Sequence, residues 1–164
     1  MDAQAETAYR EYVVTRMDGL RRTAYLMCQN WHTADDLVST TLTNLYRKWR
    51  RAQEASNLDA YVRRILLNTW IDEQRRPWRR ETLRDNLPDV IGELPPVGDQ
   101  IGLAELLQRL SPRYRAVLVL RFYCDVSVDE TAEILGLAQG TVKTLTARGL
   151  ASLRAAMTNA GVHE

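Results

Sequence analysis

The chain has 164 residues, room for one ordinary domain or two small ones, and its 45% apolar content excludes an extended, disordered polyelectrolyte. A formal net charge of +1 does not advertise a nucleic-acid partner, and 8 Gly, 5 Pro and one Phe favour helices over sheet. Cys28 and Cys124 lie far apart and make no C-x-x-C, and His32 and His163 are as far apart, so neither a metal site nor a cofactor is expected.

The opening, MDAQAETAYREY, is acidic and has no secretory apolar core. No apolar run reaches membrane-spanning length. Both points predict a reduced, cytoplasmic chain with no membrane insertion.

From about Ala8 to Asn30 the spacing of Tyr12, Val13, Leu20, Ala24, Met27 and Trp31 predicts an amphipathic helix, weakened by Gly19. Thr33 is the expected cap of a second helix, with Asp35 and Asp36 in its first turn, where the helix dipole favours anions. Its stripe is Leu37, Val38, Thr41, Leu42, Leu45, Tyr46 and Trp49, wide enough for a core and a partner surface together. Arg47, Lys48, Arg50 and Arg51 crowd its far end.

Asn57 is placed to cap a third helix, which Pro77 ends. Leu58, Tyr61, Val62, Ile65, Leu66 and Thr69 form the inward side, leaving Arg63, Arg64, Asn68, Trp70, Arg75 and Arg76 for other faces. Arginines mixed with aromatics suit single-stranded nucleic acid, because bases stack on flat groups while guanidinium neutralises phosphate. A solvated basic face with Trp70 in the core accounts for the pattern equally well.

Periodicity stops from Glu81 to Ile101, where Pro88, Gly92, Pro95, Pro96 and Gly98 punctuate a stretch that is wholly acidic after Arg84. Its length and composition mark a linker. Leu103, Leu106, Leu107 and Leu110 then predict a short helix. Ser111 and Pro112 start another, with Val117, Leu118, Leu120 and Phe122 following, and Cys124–Asp125 makes a turn.

Ser127 to Leu153 reads as two helices about a tight turn at Gly136. Ser127 and Glu130 form a capping box, and Ala132 and Leu135 share one face. Val142, Leu145, Leu150 and Leu153 make the stripe of the second helix; Lys143, Arg148 and Arg154 lie outside it, with no carboxylate from Ala138 to Leu153. That is the pattern of a DNA-reading helix-turn-helix, although helix pairs of this kind also occur in plain bundles.

Three of these stretches resemble a known family. DDLVSTTLTNLYRKW resembles the polymerase-binding helix of bacterial RNA polymerase sigma factors. NLDAYVRRILLNTWIDEQRR resembles the segment that reads and melts the minus-ten element, and LSPRYRAVLVLRFYCDVSVDETAEILGLAQGTVK the domain that reads the minus-thirty-five element. Their order, with little else in the chain, resembles the small extracytoplasmic-function (ECF) class and within it an actinobacterial subgroup.

The resemblance implies an all-α fold of two small helical modules joined by an acidic linker containing Pro and Gly. These are a region-2-like domain over 1–80, the linker over 81–101, and a region-4-like domain over 102–164 ending in the helix-turn-helix. It implies polymerase-binding positions at Asp36, Leu37, Val38, Leu42 and Tyr46, minus-ten positions at Arg63, Arg64, Asn68, Arg75 and Arg76, and minus-thirty-five positions at Thr141, Lys143, Thr144, Ala147 and Arg148.

The implied partners are core RNA polymerase, promoter DNA and an anti-sigma factor, with no small-molecule substrate and no catalytic residue. The other readings are a free-standing helix-turn-helix regulator and a degenerate relative that no longer reads promoters. The chain departs from the family's usual pattern at Ser39–Thr40, where Gln-Glu is common, at Ala138, where a Ser cap is common, and at Leu145 and Thr146. Two adjustments suit the last pair: a rotated helix that buries Leu145, or a buried Thr146 whose hydroxyl bonds the Val142 carbonyl.

Overall fold

A computed structural model describes residues 1–73 and 102–159. All regular elements among them are helical, as expected of an all-α chain. The fold divides into two compact units, Met1–Asp72 and Glu73–Glu164. The linker expected over 81–101 lies outside the described residues, as do Arg75, Arg76 and Pro77.

Helix α1, Ala3–Cys28, starts earlier than its apolar spacing predicts, because the Asp2 carboxylate accepts from Ala5 N at 2.7 Å and caps it. It ends at Gln29, held in the left-handed region at φ 50° with its N–H on the Tyr25 carbonyl.

Helix α2, Trp31–Arg47, corrects the expected start. Its cap is Asn30, whose Oδ1 accepts from Thr33 N at 3.0 Å, so Thr33 is the third residue of the helix. Asp35 and Asp36 fall beyond the first turn. The cause is tertiary: Trp31 stacks on Tyr25 with ring centres 4.1 Å apart, and the Arg21 guanidinium lies 4.9 Å over the indole. Arg21 also bonds Asp35 at 2.6 Å, a pairing that pushes the arginine's pKa further up.

Lys48 breaks the helix, with φ −107° and ψ 16°, and α3 restarts at Trp49–Gln53. The break turns Trp49 inward, 2% exposed, with Tyr9 and Tyr12 ring centres 5.4 and 5.9 Å away. Helix α4, Leu58–Glu73, is capped as expected by Asn57, whose Oδ1 accepts from Ala60 N at 3.0 Å.

The core of this unit is Met27, Leu37, Leu45, Val62, Leu66, Leu67 and Trp70. Trp70 is 1% exposed and belongs to that core, which favours the second of the two readings its pattern allows. Leu58, Tyr61, Ile65 and Thr69, expected inside, are only half-buried.

Two phenols tie α1 to the other helices. Tyr9 Oη donates to the Leu42 carbonyl at 2.7 Å, and Tyr12 Oη donates to Asp59 Oδ1 at 2.9 Å. Burial and the neighbouring Tyr46 raise the Tyr9 pKa; burial, then the bond to Asp59, raise that of Tyr12. Groups so raised contribute stability that is fully present below the unfolded value, near 10, and is lost as pH climbs through the folded values. Denaturation midpoints should therefore fall above about pH 10, and a Tyr9→Phe/Tyr12→Phe protein should show a shallower decline. An identical pH profile in that variant would contradict the linkage.

In the second unit, α5 spans Leu103–Gln108 and α6 Pro112–Leu118, with Pro112 at the first position and Ser111 before it. Arg115, 6% exposed, fastens the two: Nε donates to the Leu107 carbonyl at 3.0 Å and Nη2 to the Leu110 carbonyl at 3.1 Å. A cation there satisfies carbonyls at the end of α5 that the helix cannot.

A π-helical turn, Val119–Tyr123, continues α6. It leaves Phe122 and Tyr123 exposed, although Phe122 continues an apolar run in the sequence. Asp125, at φ 55°, makes the expected turn.

Helix α7, Val128–Leu135, begins at Ser127, whose Oγ accepts from Glu130 N at 3.1 Å. It ends at Gly136, at φ 67°, where the Leu137 N–H reaches back to the Ala132 carbonyl at 2.9 Å. This is a Schellman turn, which needs a residue free to be left-handed. Helix α8, Gln139–Asn159, follows.

The buried seam of α8 is Val142, Leu145, Gly149, Ser152 and Ala156. Leu150 and Leu153, expected on it, are half-buried at its edge. The seam narrows to small residues because α6 crosses close by: a Cβ on Gly149 would lie 3.3 Å from Leu118 Cγ. Of the two adjustments expected at 145 and 146, Leu145 is buried, 5% exposed, while Thr146 is only half-buried, although its hydroxyl does donate to the Val142 carbonyl at 2.7 Å.

Candidate nucleic-acid and polymerase interfaces

Successive residues of a helix are rotated by about 100°, so burial along each helix fixes what its open side offers. On α8 the open side carries Gly140, Lys143, Thr144, Ala147, Arg148, Ala151 and Arg154. Of the expected minus-thirty-five residues, Lys143, Thr144, Ala147 and Arg148 are exposed together, while Thr141 is half-buried at the margin.

Gly140, Ala147 and Ala151 keep the middle of this face low, with cations beside it. No carboxylate occurs between Ala138 and Asn159. The Thr144 hydroxyl donates to the Gly140 carbonyl at 3.1 Å, which leaves its lone pairs outward. A low, cationic helix face that follows a tight turn is what a major groove admits. Gly140 and Ala151 join this face through its geometry alone, since neither carries a charge or a hydrogen-bonding side chain that would mark it in the sequence.

On α4 the exposed or half-buried line is Tyr61, Arg64, Asn68 and Asp72, spaced three, four and four residues apart. Asn68 is exposed in the middle of it. Arg63 is rotated off that line towards α1, where it acts on the Tyr12 phenol. The structure thus brings Arg64 and Asn68 together and separates Arg63 from them. Tyr61, assigned inward from the sequence, shares their face.

On α2 the expected polymerase-binding residues divide. Leu37, Val38 and Leu42 are 0%, 3% and 8% exposed and belong to the core. Asp36 and Tyr46 are exposed, in company with His32, Ser39, Thr43 and Arg47. The open side of α2 is therefore polar, with a carboxylate near its start and cations at its end. Ser39, brought forward only as a departure from the family's pattern, lies on this face, and Thr43 and Arg47 join it without having been singled out.

Among the described residues no group of His, Cys, Asp and Glu could hold a metal ion, and no helix is long and apolar enough to cross a membrane.

Two helical units, one with an amide and an arginine on an open helix and one ending in a helix-turn-helix, define a DNA-reading class of protein. Residues 13–80 match the family described as Sigma-70 region 2, and residues 101–153 that described as Sigma-70, region 4. The chain is 36% identical over 148 residues to the RNA polymerase sigma-E factor of Streptomyces avermitilis, covering 89% of this chain and 83% of that protein. It is 30% identical over 136 residues to the ECF RNA polymerase sigma factor SigM of Mycobacterium tuberculosis H37Rv, covering 82% and 69%.

In fold it is similar to the sigma factor RpoE of Bartonella quintana, solved with the anti-sigma factor NepR (TM-score 0.68, 24% identity, 92% of this chain and 97% of that one). It is also similar to CnrH, solved with the cytosolic domain of CnrY (TM-score 0.65, 24% identity, 96% and 94%).

The chain belongs to the ECF class of RNA polymerase sigma factors. As such it binds core RNA polymerase, directs it to specific promoters and helps melt the minus-ten element.

Proposed function

We propose that the three open helix faces divide this work. The α2 face around Asp36, Ser39, Thr43 and Tyr46 docks on core polymerase. The α4 face around Tyr61, Arg64 and Asn68 takes the minus-ten strand, with Arg75 and Arg76 adding phosphate contacts beyond the described residues. The α8 face around Lys143, Thr144, Ala147 and Arg148, with Thr141 at its edge, reads the minus-thirty-five duplex.

The chemistry of initiation belongs to the polymerase, and this chain is a non-catalytic, cytoplasmic subunit. An anti-sigma factor is its partner when it is held inactive. The observation that carries the reading is the α8 face, where exposed cations flank small residues and no carboxylate intervenes.

The test is transcription from genomic fragments by core polymerase with the purified chain added. Specific start sites are expected, and their absence together with failure to bind core polymerase overturns the reading. Arg148→Ala should weaken minus-thirty-five duplex binding by about 1–3 kcal/mol if it reads a base, or lower the slope of log affinity against log salt by about one if it holds a phosphate. Unchanged affinity and unchanged slope would remove Arg148 from the site.

A further inference from the structure

Asp59 is the second residue of α4. Alone, a carboxylate there would serve the helix dipole and face water. At 40% exposure it still meets water, but it is also held by two donors from α1, one of them Arg16, itself 53% exposed. Tyr12 Oη reaches Oδ1 at 2.9 Å, and Arg16 Nη2 lies 3.2 Å from Oδ2. Tyr12 and Arg16 stand one helical turn apart, so the two bonds approach both carboxylate oxygens from successive turns of α1.

A single bond lets a helix swivel about it; two bonds on the two oxygens restrain both its distance and its rotation. The same helix is fastened to α2 by its preceding turn. Tyr9 bonds the Leu42 carbonyl at 2.7 Å, and its ring meets the edge of Tyr46 at 5.1 Å. Tyr46 belongs to the α2 face assigned to polymerase. Tyr9, Tyr12 and Arg16 thus make α1 a strut between that face and α4.

We propose that Tyr12 and Arg16 are positioning residues for promoter opening: through Asp59 they set the rotation of α4, and with it the direction in which Arg64 and Asn68 face once α2 is docked. The proposal rests on the assignment of α4 to the minus-ten strand. A rotation of about 10° at a helix surface radius of about 6 Å displaces a side chain by about 1 Å, beyond the tolerance of a preorganised contact. Tyr12 is suited to the task because its phenol stays protonated, and so remains a donor, throughout the neutral range. Neither residue touches DNA in this scheme.

The test uses holoenzyme assembled from core polymerase and full-length chain carrying Tyr12→Phe with Arg16→Met, Arg16→Lys alone, or Asn68→Ala. Core binding, denaturation midpoint and permanganate reactivity of minus-ten thymines are measured for each. The double variant should open promoters about tenfold less while binding core polymerase within about twofold of the parent chain. Arg16→Lys, which keeps the ion pair, should open them like the parent. Core binding and opening that fall in proportion would reduce the pair to a packing role and overturn the proposal. Opening lost in Asn68→Ala but kept in the double variant overturns the clamp alone. Opening kept in both overturns the assignment of α4 and the clamp with it.

Discussion

Alanine at position 68 should lower promoter opening by about ten- to a hundredfold, while core polymerase binding stays within about twofold. The Asn68 side chain is exposed on α4, and its carboxamide makes no hydrogen bond with another described residue. Truncation therefore removes nothing from the fold, and alanine is the better helix former by a few tenths of a kcal/mol. The denaturation midpoint should hold or rise as opening falls.

That opposition is the useful signature. A residue needed for packing loses both together, whereas an amide that pairs with an unstacked base loses only the second. Permanganate footprinting on a linear promoter, read beside a core-binding titration, checks it. Equal losses, or none, would take Asn68 out of the minus-ten site.

Trp70→Ala should do the reverse, costing about 3–5 kcal/mol of stability and abolishing core binding and opening together. Trp70 is 1% exposed, and its indole N–H has no acceptor among the described residues. A buried donor without a partner is itself unfavourable, so Trp70→Phe should cost much less than Trp70→Ala. Chemical denaturation of the three proteins decides the matter. An alanine variant with the parent's midpoint but no opening would mean that Trp70 stacks on a base.

This pair of neighbours explains what the sequence could and could not convey. Asn68 and Trp70 both stood outside the predicted inward stripe of α4. Two residues apart on a helix means about 200° of rotation, so only one of them could be outward. Which one depends on where α1 and α2 cover α4, and no local pattern carries that. Arg63 and Arg64 were separated by the same geometry. Leu37, Val38 and Leu42, which the motif's resemblance brings forward with Asp36 and Tyr46, are buried while those two are exposed, a division that the motif alone does not carry.

Caps were legible where one candidate dominated. Asn57, Ser127 and Gly136 do what their side chains, or lack of one, predict. At the start of α2 two competent caps competed, Asn30 and Thr33, and the stack of Trp31 on Tyr25 decided for the earlier. The break at Lys48 has no Pro or Gly to announce it and follows the burial of Trp49. The seam of α8 was hidden for another reason. Gly149, Ser152 and Ala156 are chosen for being small, and a search for apolar periodicity passes over them in favour of Leu150 and Leu153.

That seam has a consequence for how such proteins diversify. The residues that α8 buries, and the residues it offers outward, form two sets with no shared member: Val142, Leu145, Gly149, Ser152 and Ala156 against Gly140, Lys143, Thr144, Ala147, Arg148, Ala151 and Arg154. The first is constrained by volume, to the point that one methyl at 149 meets Leu118. The second is exposed and takes no part in that packing. One helix thus keeps two separate ledgers, and if the outward set reads DNA as proposed, grafting it alone between relatives should exchange their sequence preference and leave the scaffold's stability to the first.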